Sequence, residues 1–296
     1  MALKAIKPEE KLKRLKMFVY GEAGVGKTLA TLQFPKSYVI DCEKGTDAYA
    51  KTINKSKSAV FQTTNPDDIK NELKQLLTTK HDYTTLIIDP ITLVYHSIQE
   101  KWTRIFEKNA KSEKEAEVQD FGMRFWGKVK SEYKSIQRVL LALDMNVIIT
   151  SHQKDVYGPG FSKMGVTFDS MKGDDYFFDF IFRIEKRGEQ RFAITEKERA
   201  EIGEHKFPKD FIWSYDNFCK FYGQTTLEKE SKPVMMATEE QVSKVKTLIE
   251  TIKVDDDVTQ KWFTKAGVDE WEEMTSDQIN KCIDFLEEKI NKLGGK

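Results

Sequence analysis

Eight consecutive residues carry the most specific chemistry in the chain: Gly21-Glu22-Ala23-Gly24-Val25-Gly26-Lys27-Thr28. They fit the pattern G-x-x-x-x-G-K-[ST]. The glycines let the backbone wrap tightly, so its N–H groups point inward and cradle a chain of phosphates. Lys27 is placed to reach the β- and γ-phosphates, and Thr28 to set its hydroxyl on Mg²⁺. Lys16–Tyr20 before the motif reads as an apolar strand. Leu29–Phe34 after it reads as a helix stopped by Pro35, whose N-terminus adds a favourable dipole. This strand–loop–helix setting makes a nucleoside triphosphate with Mg²⁺, ATP in the first place, the expected ligand.

A second acid belongs with that loop. Leu86-Ile87-Ile88-Asp89 ends a buried strand, expected beside the strand that feeds the loop, and Asp89 there holds Mg²⁺ through water. Pro90 follows and cannot accept a proton, so a general base must come from elsewhere. Glu43 is the candidate, two residues past Asp41 at the carboxyl end of the strand Ser37–Asp41, where ligands bind in such sheets. Its alternative is a solvated loop carboxylate.

The strand Val147–Ser151 ends in His152-Gln153. Ser151, His152 and Gln153 are candidates to touch a γ-phosphate and report its loss; His152 equally suits a strand-end cap. Lys197-Glu198-Arg199 follows a hairpin strand and could reach a neighbouring subunit's phosphate in trans, or be ordinary surface charge.

Strands alternating with helices predict an α/β fold, a mainly parallel sheet covered by helices on both faces. Asn65-Pro66-Asp67-Asp68 starts a helix whose Ile69, Leu73, Leu76 and Leu77 share one side. A long helical stretch runs from about 93 to 144 and is expected to break at the charged run 109–117. Phe177–Ile184 and Arg191–Thr195 read as an edge hairpin turning at Arg187–Gln190. Thr238-Glu239-Glu240-Gln241 and Thr275-Ser276-Asp277-Gln278 are helix starts of the capping-box kind. Trp262, Phe263 and Trp271 are expected to fill a small helical bundle. The expected division is an extension 1–15, a core 16–223, a linker 224–237 and a helical module 238–296.

The formal net charge is zero, with 48 basic and 48 acidic residues. The signs are unevenly spread: residues 237–296 hold 9 Lys+Arg against 14 Asp+Glu, leaving 39 against 34 elsewhere. An acidic appendage on a mildly basic body fits a nucleic-acid ATPase with a protein-binding module, or ordinary surface variation. Cys42, Cys219 and Cys282 form no Cys-x-x-Cys pair, which excludes a zinc ribbon or disulfide framework and suits a reducing cytosol. No segment approaches the ~20 apolar residues of a membrane helix.

The text from Ile40-Asp41-Cys42-Glu43 to Tyr49-Ala50 resembles RecA-type recombinases, where an acid two residues past the strand Asp is the catalytic glutamate. The order of P-loop, Glu strand, Asp89 strand and polar strand end before a long loop is RecA-like as well. Lys197-x-Arg199 resembles the finger motif of the hexameric-helicase branch. Over residues 14–222 the chain is most similar to the short RecA-like proteins of phages linked to single-strand annealing and recombination. The resemblance implies an ATPase with Gly21–Thr28 and Gln153 on the nucleotide, Thr28 and Asp89 on Mg²⁺, and Glu43, Lys27, Lys197 and Arg199 as catalytic groups. It also implies a homo-oligomer, a cytoplasmic location (the host's, for a phage protein) and DNA binding by a loop at roughly 154–174, within the polar stretch 152–175. That loop offers Lys154, Lys163 and Lys172 between Tyr157, Phe161 and Phe168, offset by Asp155, Asp169, Asp174 and Asp175; the alternative is a lid over the nucleotide. Two further functions stand beside the DNA-dependent ATPase. One is a helicase-loader-like ATP switch whose protein partner docks on 238–293. The other is a small-molecule kinase, which ranks last because no arginine-rich lid segment stands out.

Overall fold

The computed structural model describes residues 14–110, 114, 122–199 and 204–294. The expected extension 1–15, apart from Arg14 and Leu15, and most of the expected break at 109–117 lie outside the described residues.

The strands are β1 (Lys16–Gly21), β2 (Ser37–Asp41), β3 (Ala59–Gln62), β4 (Thr85–Asp89), β5 (Asn146–Tyr157), β6 (Lys163–Phe168), β7 (Phe180–Arg187), β8 (Gln190–Glu198) and β9 (Asp210–Ile212). The main helices are α1 (Lys27–Thr31), α2 (Ala50–Lys55), α3 (Pro66–Thr78), α4 (Ile91–Asn109), α5 (Met123–Ala142), α6 (Tyr215–Tyr222), α7 (Glu239–Ile252), α8 (Asp256–Ala266) and α9 (Ser276–Gly294). The sheet runs β3-β2-β4-β5-β1-β7-β8-β9. It is parallel from β3 to β7, and β8 and β9 add an antiparallel edge. The expected mainly parallel α/β core is therefore present. Its central strands read as unbroken apolar runs, and β1 and β4 are buried along their whole length, as strands covered on both faces must be.

One face of the sheet packs Met17, Val19, Val39, Ile87 and Ile148 with Ala30 of α1, Ile53 of α2 and Phe218 of α6. On the other face Phe18 and Tyr20 meet Phe168, with ring centroids at 4.6 Å and 5.8 Å.

Two expectations are corrected. The Asp89 strand is not beside the P-loop strand, because β5 pairs with both β4 and β1 and stands between them. The stretch 152–175 is not an irregular loop. β5 continues six residues past Ser151, turns at Pro159–Phe161 and returns as antiparallel β6. Polar and glycine residues hide this hairpin, since a strand exposed on both sides shows no apolar alternation. In addition, β7 starts at Phe180, after a helical turn over Asp174–Phe177.

The chain groups into two compact units. The first, from residues up to Ile69, Asp82–Trp126 and Met145–Ser231, holds the sheet. The second draws on Lys70–His81, Gly127–Asp144 and the residues from Lys232 onward. In the second unit α7, α8 and α9 enclose Val245, Trp271, Met274, Ile279, Ile283 and Leu286, with Trp262 and Phe263 packed against them. Both capping boxes form: Thr238 with Gln241 and Thr275 with Gln278 exchange hydrogen bonds of 2.8–3.2 Å. No described helix is long and apolar enough to cross a membrane.

Candidate functional site

β1 delivers its last residue, Gly21, between β5 and β7. A Cβ on Gly21 would come within 2.5 Å of the Ile184 carbonyl oxygen, so only glycine fits there. The loop then closes through two left-handed glycines, Gly24 at φ 74° and Gly26 at φ 93°. Lys27 folds back across it, Nζ donating to the carbonyls of Gly21 (3.0 Å) and Glu22 (2.9 Å). Burial holds the Lys27 ammonium below its usual pKa, while the charges of Asp89 and Glu43 pull it back up. Arg191, at the start of β8, donates Nε to the Val25 carbonyl at 3.2 Å, and its guanidinium lies against Gly26. Sequence reading missed Arg191, because only the β7–β8 turn brings it to the loop.

Asp89 ends β4 and is buried. Burial raises its pKa, the Thr150 and Thr28 hydroxyls donate to it and lower it, and Asp41 and Glu43 raise it again. Thr150, on the intervening strand β5, donates its hydroxyl to Asp89. Thr28 and Asp89 thus converge across the sheet edge. One carboxylate and one hydroxyl form the sparse donor set that suits Mg²⁺ when substrate phosphates complete its shell.

The tip of β2 is a built turn. Asp41 accepts from the backbone of Glu43 (3.0 Å), Gly45 (3.2 Å) and Thr46 (3.0 Å), and from the Thr46 hydroxyl (2.5 Å). Burial pushes the Asp41 carboxyl up, but these bonds outweigh it and hold the pKa below the ordinary carboxylate value. Cys42 N–H donates to the Asp89 carbonyl at 2.8 Å, tying the turn to β4. Burial, then Asp89, Asp41 and Glu43, pushes the Cys42 thiol up to about 12, so it stays protonated. Glu43 projects from this turn, and its Oε1 lies 2.6 Å from Nε2 of His152, which is in register with Gly21.

Of the other strand-end candidates, Ser151 is buried and binds the Asp169 carbonyl at 3.1 Å. Gln153 donates to Glu22 Oε1 at 3.4 Å. Glu22, Gly24, Gln153, Arg183, Glu185 and Lys186 are among the residues lining a cleft of about 420 Å³ beside the P-loop.

The β5–β6 hairpin presents Tyr157, Phe161 and Met164 to solvent, Phe161 at 92% exposure. Its cations are paired, Lys154 with Asp169 at 3.0 Å and Lys163 with Asp155 at 2.7 Å. Phe168, expected among the exposed aromatics, instead anchors the hairpin on Phe18 and Tyr20. Lys197 donates to the carbonyls of Asp175 and Phe178, and Arg199 pairs with Asp179 at 3.1 Å. Both finger candidates are thus engaged within their own chain.

A family model described as an AAA domain matches residues 13–200. The chain is similar to the crystal structure of the RadB recombinase at 17% identity and a TM-score of 0.39, over 62% of this chain and 81% of that one. It is also similar to the assembled ATPase EscN of the enteropathogenic E. coli type III secretion system at 11% identity and a TM-score of 0.35, over 93% and 66%. No curated protein matches.

Proposed function

The chain belongs to the AAA domain family, and from that premise we propose that it hydrolyses ATP with Mg²⁺ while acting on single-stranded DNA, in annealing or recombination of the phage type. The observation that carries this reading is convergence: Lys27, Thr28, Asp89 and Glu43 meet at one edge of the sheet, where the exposed aromatic hairpin also begins.

In the proposed reaction a water oxygen bonds to the γ-phosphorus as the bond to the β–γ bridging oxygen breaks. Glu43 accepts the water proton. Lys27 and the loop N–H groups offset charge gathering on the phosphoryl oxygens. Thr28 and Asp89 would hold Mg²⁺, which, when bound, neutralises the β- and γ-oxygens. Gln153 faces the phosphates once it leaves Glu22. In a homo-oligomer Lys197 and Arg199 would exchange their present contacts for a neighbour's γ-phosphate. Tyr157 and Phe161 offer flat faces for bases. Catalysis is assigned to residues 16–223, and a protein partner to 238–293 beyond the linker 224–237. The proposed location is the cytoplasm.

The test is ATP turnover with and without single-stranded DNA for the wild type, Lys27→Ala and Glu43→Gln. Stimulation by DNA, lost in both variants, is the expected result. Turnover indifferent to DNA would remove the DNA role and leave the helicase-loader-like switch as the next reading. Full activity in Glu43→Gln would remove Glu43 as base.

A further inference from the structure

α8 carries two aromatic residues, yet none of its side chains is fully buried. Trp262 and Phe263 lie half-buried against the core of the helical module. The Trp262 ring stands edge-on to two others. One is the buried Trp271, with centroids 6.0 Å apart, and the other is Phe285 of α9, at 5.8 Å. Phe285 itself is 50% exposed. A ring that faces water on one side and a fixed tryptophan on the other offers apolar area with little freedom left to lose on binding.

The charge around this pair runs against that of the module. Residues 237–296 are acidic, with 9 Lys+Arg against 14 Asp+Glu. On α7 the lysines are paired within the chain, Lys244 with Glu287 at 2.7 Å and Lys246 with Glu272 at 2.9 Å. Lys281 and Lys289 stand four residues either side of Phe285, on its side of α9, and both are exposed. Burial raises the pKa of the Cys282 thiol and the Lys265 charge lowers it, so a third ammonium lies close to Cys282, three residues before Phe285. Among the described residues no ion pair engages Lys265, Lys281 or Lys289. Glu288 also falls at helical spacing from Phe285, but it already interacts within the chain.

We infer that Trp262 and Phe285, flanked by Lys265, Lys281 and Lys289, are the docking patch for a short acidic segment of another protein, anchored by one apolar side chain. This rests on the assignment of a protein partner to 238–293 and gives that partner a place and a chemistry. The anchor packs on the exposed side of Phe285, and the carboxylates meet the three ammoniums. The patch also sets the length of its occupant. From Lys281 to Lys289 the helix rises about 12 Å at ~1.5 Å per residue, a distance that about four extended residues span. The same charges disfavour nucleic acid. A polynucleotide carries a phosphate at every residue and would run beyond the three lysines onto acids such as Asp255, Asp256 and Asp257 at the start of α8.

The probe is a fluorescein-labelled synthetic peptide ending in Asp-Glu-Asp-Phe, titrated by anisotropy into the full chain without ATP or DNA. One control peptide has alanine for its phenylalanine, and the other has lysine for its acids. The acidic peptide should bind about tenfold tighter than either control, and more weakly as salt rises. Phe285→Ala should lower its affinity about tenfold, the scale of an interface anchor. The Lys281→Glu/Lys289→Glu double variant should lower it about fivefold or more, and Phe285→Tyr, which keeps the ring, should retain it. The lysine variant touches no buried side chain, so it keeps the test open if circular dichroism shows Phe285→Ala to be unfolded. Peptide binding unchanged in both variants overturns the patch and leaves 238–293 as a partner module with another face in use. Equal binding of the three peptides, or none at ~1 mM, overturns the acidic, apolar-anchored chemistry. Single-stranded oligonucleotide binding that the two variants abolish, without peptide binding, assigns the patch to nucleic acid. Self-association that they abolish assigns it to a second copy of the chain, and either result overturns the inference. The titration contains neither ATP nor DNA, so its result stands apart from the reading of the phosphate loop and the hairpin.

Discussion

The Thr150 hydroxyl donates to the Asp89 carboxylate, joining the middle strand β5 to the acid at the tip of β4. Because β5 lies between β4 and the P-loop strand, this bond sets the acid's position relative to Thr28. Thr150→Val keeps the shape and removes the donor. It should cost about 1–3 kcal/mol, the penalty for leaving a buried acceptor unmatched. Urea unfolding should show a lower midpoint at constant slope, and hydrolysis should need more Mg²⁺ to reach its plateau.

Asp41 governs a pH effect. Its folded-state pKa lies below its unfolded value, so its contribution is fully present above the unfolded pKa of about 4 and fades as pH falls through the lower folded value. Asp41→Asn should be less stable than the wild type by about 2–3 kcal/mol near neutrality, the scale of hydrogen bonds to a charged group. The two stability curves should converge in strong acid. Parallel curves from pH 7 to pH 2 would show that Asp41 is not the group responsible.

Gly26 takes φ 93° beneath the Arg191 guanidinium. Gly26→Ala should weaken nucleotide binding by about tenfold or more, since a left-handed alanine is strained and its methyl displaces Arg191. Titration with a fluorescent ATP analogue measures this. Arg191→Ala combined with Gly26→Ala should recover part of the loss if crowding contributes to it.

Phe182 on β7 has the rings of Phe207, Phe211, Trp213 and Phe218 with centroids 5.2–6.1 Å away. Phe182→Ala should destabilise the fold by about 3–5 kcal/mol, by loss of transfer energy and the cavity left behind. Chemical denaturation followed by tryptophan fluorescence reads this directly, since Trp213 lies in the cluster.

What could be read from the residues was local. The P-loop is one contiguous segment whose glycines state their own geometry, and Glu43 follows from its two-residue offset from Asp41. The helix caps at Thr238 and Thr275 are four-residue patterns, and both form as expected. Strand order was not local. Nothing within Thr85–Asp89 says that Asn146–Tyr157 will sit between it and β1, because that choice depends on pairing across more than fifty residues. Arg191 reaches the site by the same kind of long-range placement. β3 and β9 are short edge strands of four and three residues, too brief for a periodic signal.

β5 is a single strand of twelve residues, rooted in the centre of the sheet and free of its neighbours toward the tip, save for β6. From His152 to Tyr157 it spans about 16 Å at ~3.3 Å per residue. A stiff rod of that length is a lever with its fulcrum beside the P-loop, where His152 is in register with Gly21. A tilt of about 10° at the fulcrum carries the tip ~3 Å. The geometry sets a gear ratio: a small angular shift beside the P-loop is enlarged at Tyr157.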